Sequence, residues 1–218
     1  MNPSESLPHK RERRKQARPG ELLDAALDLF VENGFAGTRS EEVAARAGVS
    51  KGTLFLYFPS KDELFKAVVR ENIVRHHTEG MEELARFEGT SAQLLEHLML
   101  EWWRRFGATK ASGISKLVMS EASHFPDLAR FFQQEVVEPG HALIRSVLQR
   151  GIDRGDFRPV DIELSIHSVL APLLFLVTWK HSMAPCCPTH PIDPEAFIRH
   201  HADLLVRGLA IVPSSDTP

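Results

Sequence analysis

The sequence predicts an all-α protein with a short N-terminal group of helices followed by a larger helical part. Three observations carry that expectation. Apolar residues recur at spacings of three and four almost throughout, no alternating apolar run is bounded by hairpin turns, and a glycine turn joins two short amphipathic segments near the N-terminus.

Taken in order, residues 1–18 have little to bury and read as a flexible basic arm: Lys10, Arg11, Arg13, Arg14, Lys15 and Arg18 face only Glu5 and Glu12. Such an arm suits contact with a polyanion and equally suits a solvated tail. A first helix starts near Pro19, carries Leu22, Leu23, Ala26, Leu27, Leu29 and Phe30 on one face, and stops at Gly34. Thr38 and Ser40 offer hydroxyls to free amides, and Glu41 and Glu42 put negative charge at the positive end of a second helix over 40–47. Gly48 permits a left-handed turn, and Ser50 caps a third helix over 51–58. After Pro59, Ser60 caps a fourth helix from Lys61 to the region of Arg86. Further helices are expected over 91–106, 114–125, 127–137, 140–154, 161–183 and 193–209, and 212–218 read as a tail.

The composition is ordinary for a folded soluble chain: 218 residues, 43% hydrophobic and 25% charged, room for a small domain and a larger one. Cys186 and Cys187 are adjacent and cannot staple distant parts of a fold, which excludes a disulfide scaffold and fits a reducing compartment. Only Ala17 is apolar between Lys10 and Gly20, so no signal-peptide core is expected there. The most apolar stretch, 169–179, is about half the roughly 20 residues of a membrane span. Pro172 interrupts it, and it reads as a buried helix. A cytoplasmic location is the expectation. P-loop, dinucleotide-binding glycine, metalloprotease and nucleophile-elbow patterns are missing, so the chain reads as a binding protein and not an enzyme, with no cofactor.

Function concentrates in residues 40–58. Val43, Ala47, Val49, Leu54 and Phe58 can share a small core, and Ala44 lets the two short helices cross closely, which is helix-turn-helix geometry. Outward on the third helix stand Lys51, Gly52, Thr53, Phe55, Leu56 and Tyr57, a face with little acidic charge to repel DNA. That helix would enter a major groove.

These residues resemble the tetracycline-repressor-like (TetR) family of transcriptional regulators: the run Leu22 to Gly37, then Glu42-Val43-Ala44-Ala45-Arg46-Ala47-Gly48-Val49, then Ser50-Lys51-Gly52-Thr53-Leu54-Phe55-Leu56-Tyr57-Phe58-Pro59-Ser60-Lys61 with Asp62 to Phe65 after it. The resemblance implies a DNA-binding domain over 19–66 and a helical regulatory and dimerisation domain over 67–211. Thr38, Arg39, Ser40, Lys51, Tyr57 and Lys61 look like phosphate contacts that fix register, and Gly52, Thr53, Phe55 and Leu56 like the base-reading face. Where the family often has tyrosine, this chain has Phe55 and Leu56, so methyl contact replaces polar contact. The expected function is a repressor released from double-stranded operator DNA by a small, mostly hydrophobic effector, working as a homodimer through its last two long helices.

For the effector, Trp102, Trp103, Phe106, Met119, Phe131, Phe132, His167, Phe175 and Trp179 supply large apolar bodies with a few polar groups. The same stripe is also what a packed core contains. An alternative is a metal- or thiol-responsive sensor at Cys186 and Cys187 with His181 or His190, although adjacent cysteines lack structural-zinc spacing and no metal site is expected. The pairs His76-His77 and His200-His201 read as surface residues.

Overall fold

The computed structural model describes residues 9–187 and 192–211, with side chains from Pro19 onward. The basic side chains of the arm, His190 and the tail therefore lie outside the described residues. Contacts group the chain into two compact units, Met1–Val68 and Val69–Pro218.

The first unit opens with α1 (His9–Gly37), which already corrects an expectation, because helical backbone begins well before Pro19 and Pro19 lies inside it. Residues 10–18 are Lys, Arg, Glu, Gln and Ala, straight-chain or small residues that lose little entropy in a helix, and they favour helical backbone ahead of Pro19 although an interior proline loses a hydrogen bond and crowds the carbonyl four residues before it. Regular geometry breaks at Gly34, whose φ of 76° is left-handed. Then come α2 (Ser40–Arg46), α3 (Lys51–Tyr57) and α4 (Lys61–Val69). The turn between α2 and α3 hangs on Gly48 at φ 67°: it lets the Val49 amide reach back to the Ala44 carbonyl at 2.9 Å while the Gly48 amide bonds the Ala45 carbonyl at 3.1 Å. Phe30, Phe35 and Phe65 pack ring against ring at 5.3–5.8 Å, and with Leu22, Val43, Leu54 and Leu64 they form the buried core of this unit.

The second unit contains α5 (Arg75–Arg86), α6 (Ser91–Trp102), α7 (Gly113–Glu121), α8 (Pro126–Phe132), α9 (Glu138–Asp153), α10 (Ile162–Ser182) and α11 (Pro194–Leu209). π-Helical turns at Arg70–Val74, Trp103–Gly107 and Gln133–Val137 add further winding. The break expected before residue 140 is absent, because Pro139 falls in the first turn of α9, where a missing amide costs little. Leu94, Leu95 and Met99 of α6 pack on Val147 and Leu148 of α9, Ile166, Val169, Leu173 and Val177 of α10, and Ile198 and Ala202 of α11. Arg150 ties the α5–α6 connection to α9 by donating to the carbonyls of Phe87 and Gly89 and to Ser91 Oγ, all within 3.0 Å.

The reading of α10 as a buried helix is also corrected. It runs straight through Pro172 for 21 residues, long and apolar enough by length and composition to cross a membrane, and only 28% of its most apolar window is buried. One face enters the core, while Leu164, Leu174 and Phe175 stay exposed.

Candidate nucleic-acid interface and effector cavity

Ser50 sets α3: its Oγ accepts from the Thr53 amide at 3.1 Å and shares a hydrogen bond of 2.9 Å with Thr53 Oγ1. Leu54 points into the core, which turns the other face outward, with Lys51 and Gly52 exposed, Phe55 37% exposed and Leu56 80% exposed. A Cβ at Gly52 would meet nothing in the chain closer than Ser50 Oγ at 3.8 Å, so no internal contact requires glycine there. Lys51 Nζ pairs with Glu41 at 2.5 Å and lies 5.7 Å from the centre of the Phe55 ring. The bond from Lys51 also holds the Glu41 carboxyl below the usual carboxylate range.

Arg39 is the residue before α2; it is exposed and makes no capping bond, and Ser40 is half-buried. Two expected phosphate contacts are occupied elsewhere. Thr38 is 1% exposed, and its hydroxyl turns inward to the carbonyls of Gly34 at 2.7 Å and Leu29 at 3.0 Å. A buried hydroxyl bonds where it can, and the end of α1 presents free carbonyls. Lys61 Nζ donates to the carbonyls of Phe35 at 2.7 Å and Thr38 at 3.0 Å and sits 4.4 Å from the centre of the Phe35 ring, which stitches the start of α4 to the α1–α2 connection. Tyr57 is half-buried at the end of α3. The exposed group that remains is Arg39, Lys51, Gly52, Phe55 and Leu56.

The second unit holds a cavity of about 340 Å³, open to solvent on one side and lined from α5, α6, α7, α8, α9 and α10 and from all three π-helical turns. π-Turns widen a helix locally and redirect its side chains, here toward one hollow. Of the residues expected to form a pocket, Trp102, Phe106, Met119 and Phe132 line it. The others do not. Trp103 is packed in the core, where a Cβ at Gly107 would come within 2.3 Å of its ring. Phe131 lies under the Arg70 guanidinium at 5.1 Å, and Phe175 and Trp179 stand together on α10 with ring centres 6.0 Å apart. His167 is exposed on α10, its ring edge-on to His141 at 5.3 Å.

Two family models match the chain, the bacterial regulatory proteins of the tetR family over residues 22–68 and the tetracyclin repressor-like C-terminal domain over residues 88–185. The chain belongs to the TetR family. A segment of 62 residues is 52% identical to the HTH-type transcriptional regulator RutR of Escherichia coli K12; that segment is 28% of this chain and 29% of the length of RutR. Over most of its length it is similar to the HTH-type transcriptional repressor KstR2 of Rhodococcus jostii RHA1, 24% identical over 198 residues that span 90% of this chain and 93% of that protein. The fatty acid degradation regulator FadR of Bacillus halodurans has the same fold, with a TM-score of 0.72 at 20% identity over 93% of this chain and 97% of that one. FadR of Bacillus subtilis, solved in complex with stearoyl-CoA, superposes with a TM-score of 0.65 at 19% identity over 87% of this chain and 98% of that one.

In this TetR-family chain the cavity residues that sequence reasoning missed are mainly histidines and aliphatics: His77, His141, Leu170, Leu173 and Leu174 among them. The signal for the leucines was present as a helical three-and-four spacing on α10, but that spacing does not say which of several neighbours the face meets. The histidine pairs are not simply surface residues. His77 lines the cavity and its Nδ1 is buried with no hydrogen-bond partner, as is Nε2 of His201. His76 is half-buried and bonds Glu79 at 3.0 Å. Burial pulls both His77 and His141 below the usual imidazole range, helped by His76 for the first and His167 for the second. Cys186 and Cys187 carry free thiols, and His181 is engaged with Ser112 Oγ at 2.8 Å. Among the described residues no group of three His, Cys, Asp or Glu side chains is placed to hold a metal.

Proposed function

We propose that this chain is a DNA-binding transcriptional repressor, acting in the cytoplasm on a double-stranded operator and released by a small, largely apolar effector held in the 340 Å³ cavity. One observation carries the DNA-binding part: α3 leaves the apolar Leu56 80% exposed, beside a partly exposed Phe55 and the exposed Lys51 and Gly52, and the folded chain gives Leu56 little to cover. An exposed Leu and Phe on a recognition helix meet thymine methyl groups, while Arg39 and Lys51 meet phosphates. The Thr53 hydroxyl, tied to Ser50, serves more to fix α3 than to read a base.

A homodimer supports the same reading. One seven-residue helix reads few base pairs, and two copies about 34–36 Å apart double the readout. The exposed Leu164, Leu174 and Phe175 of α10 and Leu204 of α11 give a second copy an apolar surface to cover. Release then requires that the effector bind more tightly to one arrangement of the two DNA-binding units than to the other.

The test is a selection of genomic fragments by the purified chain at low salt, followed by titration of the recovered fragment with wild type, Leu56→Ala and Lys51→Ala. Leu56→Ala is expected to relax preference at particular positions, and Lys51→Ala to weaken all duplexes with a salt slope smaller by about 1. Failure to retain any fragment would overturn the reading, and sedimentation showing only monomer at micromolar concentration would overturn the dimer.

A further inference from the structure

We infer that the cavity of the second unit selects an uncharged, largely apolar molecule with a single oxygen-bearing polar group, such as an alcohol, phenol, ketone or lactone, and rejects carboxylates and ammonium ions of the same size. This rests on the cavity being the effector site and adds what kind of molecule enters it.

The wall decides the class. Its side chains with hydrogen-bonding groups are His77, Trp102, Ser115, Gln133 and His141, and Lys, Arg, Asp and Glu do not contribute to it. At about 340 Å³ the space lies near the lower end of small-molecule sites and suits one compact ligand. A charge carried past the exposed Met119 and Gln133 into the apolar interior of this cavity loses much of its hydration and meets no counter-charge there. The arginines of neighbouring segments are already committed: Arg70 to Glu135 at 2.7 Å, Arg105 to Glu83 at 2.6 Å and Glu101 at 2.8 Å, and Arg145 to Glu163 at 2.7 Å. Lys116, on the helix that also supplies Ser115, donates to the His181 carbonyl at 3.0 Å.

The imidazoles are suited to a neutral partner. Burial favours their uncharged form, in which each ring offers one donor and one acceptor and so meets a hydroxyl or a carbonyl equally well. His77 also lines a small neighbouring recess of about 60 Å³; its Nδ1 is buried away from open space without a partner, so the part of the ring that faces the cavity is what a ligand can meet. A carboxylate would find no cationic side chain on the wall, only imidazoles that burial biases toward the neutral form, and an ammonium would find no acidic side chain there.

The full-length protein is titrated with N-phenyl-naphthylamine, an uncharged fluorescent probe, and the probe is then displaced with decanol, decanone, decanoate and decylammonium near neutral pH. The alcohol and the ketone are expected to displace it at concentrations at least about tenfold lower than either ion. Gln133→Arg, at an exposed edge of the wall, places a cation there and should shift the preference toward decanoate. Replacing either histidine alone, His77→Phe or His141→Phe, should weaken decanol while the probe still binds, and probe binding reports that the variant has folded. If decanoate competes as well as decanol in the wild type, or if Gln133→Arg leaves the preference unchanged, the neutral class is wrong while the cavity stands as a site. If the probe does not bind, or binds unaltered after Ala129→Trp fills the cavity, the effector-site reading itself falls and takes this inference with it.

Discussion

Replacing Thr38 by valine separates a hydroxyl that holds the fold from one that holds DNA. Valine keeps the shape of threonine, so no cavity opens, but the O–H between the carbonyls of Gly34 and Leu29 is lost from a site only 1% exposed. A typical buried hydrogen bond contributes about 0.5–1.5 kcal/mol net, and an acceptor left without its donor adds to the loss, so the expected cost is about 1–2 kcal/mol. For a chain of this size that lowers the melting temperature by roughly 2–8 °C. Thermal melts followed by circular dichroism measure the first effect, and fluorescence anisotropy with labelled duplex, well below the melting range and at several salt concentrations, measures the second. DNA affinity is expected to stay within about twofold of wild type, because the hydroxyl faces the interior and neutralises no phosphate. Arg39→Ala should give the opposite pattern, with an unchanged melt and a salt slope smaller by about 1. A Thr38→Val protein that melted like wild type yet lost tenfold or more in affinity would refute the reasoning.

Other expectations follow from the same contacts. Glu41→Gln removes the carboxylate that holds Lys51, so binding to any duplex should tighten and its salt slope steepen by up to about 1; unchanged binding would mean that the lysine never reaches phosphate. Gly151→Ala would put a Cβ 2.0 Å from Cδ2 of the buried Phe157, and the forced shift should cost about 1–3 kcal/mol, read as a lower denaturation midpoint. His181 is lowered to about 4 by burial and by the nearby Lys180 and Lys116. Because the unfolded imidazole takes up its proton near 6.5, stability contributed by the neutral ring is full above that pH and is lost as pH falls from about 6.5 toward 4. His181→Gln should flatten that part of the stability profile, and an unaltered profile would remove His181 as its source.

Much of the first unit could be read from neighbouring residues. The α2–α3 turn needs a left-handed residue and a cap, and Gly48 and Ser50 supply both within three positions, so local sequence was enough. Thr38 and Lys61 misled for the converse reason. A hydroxyl or an ammonium near a helix start can face a phosphate or a carbonyl, and the carbonyls they take belong to residues as far as 9 and 26 positions away. The α1 start was misplaced because Pro19 is an acceptable first-turn residue and also a tolerable interior one.

Periodicity, glycine and proline placement and the Gly-Val-Ser-Lys-Gly-Thr-Leu run therefore determined the helical class, the order of most elements and the outward face of α3 that we propose reads DNA, since each rests on interactions within a few residues. Only the tertiary structure decided which aromatics line a cavity and that His77 and His141 join them. An amphipathic pattern states that a face will be buried, but the partner is chosen by packing among helices far apart in sequence. Winding changes at the π-turns, which redirect Ile73, Phe106 and Val136 into the same hollow, leave no separate mark on the pattern of apolar spacing.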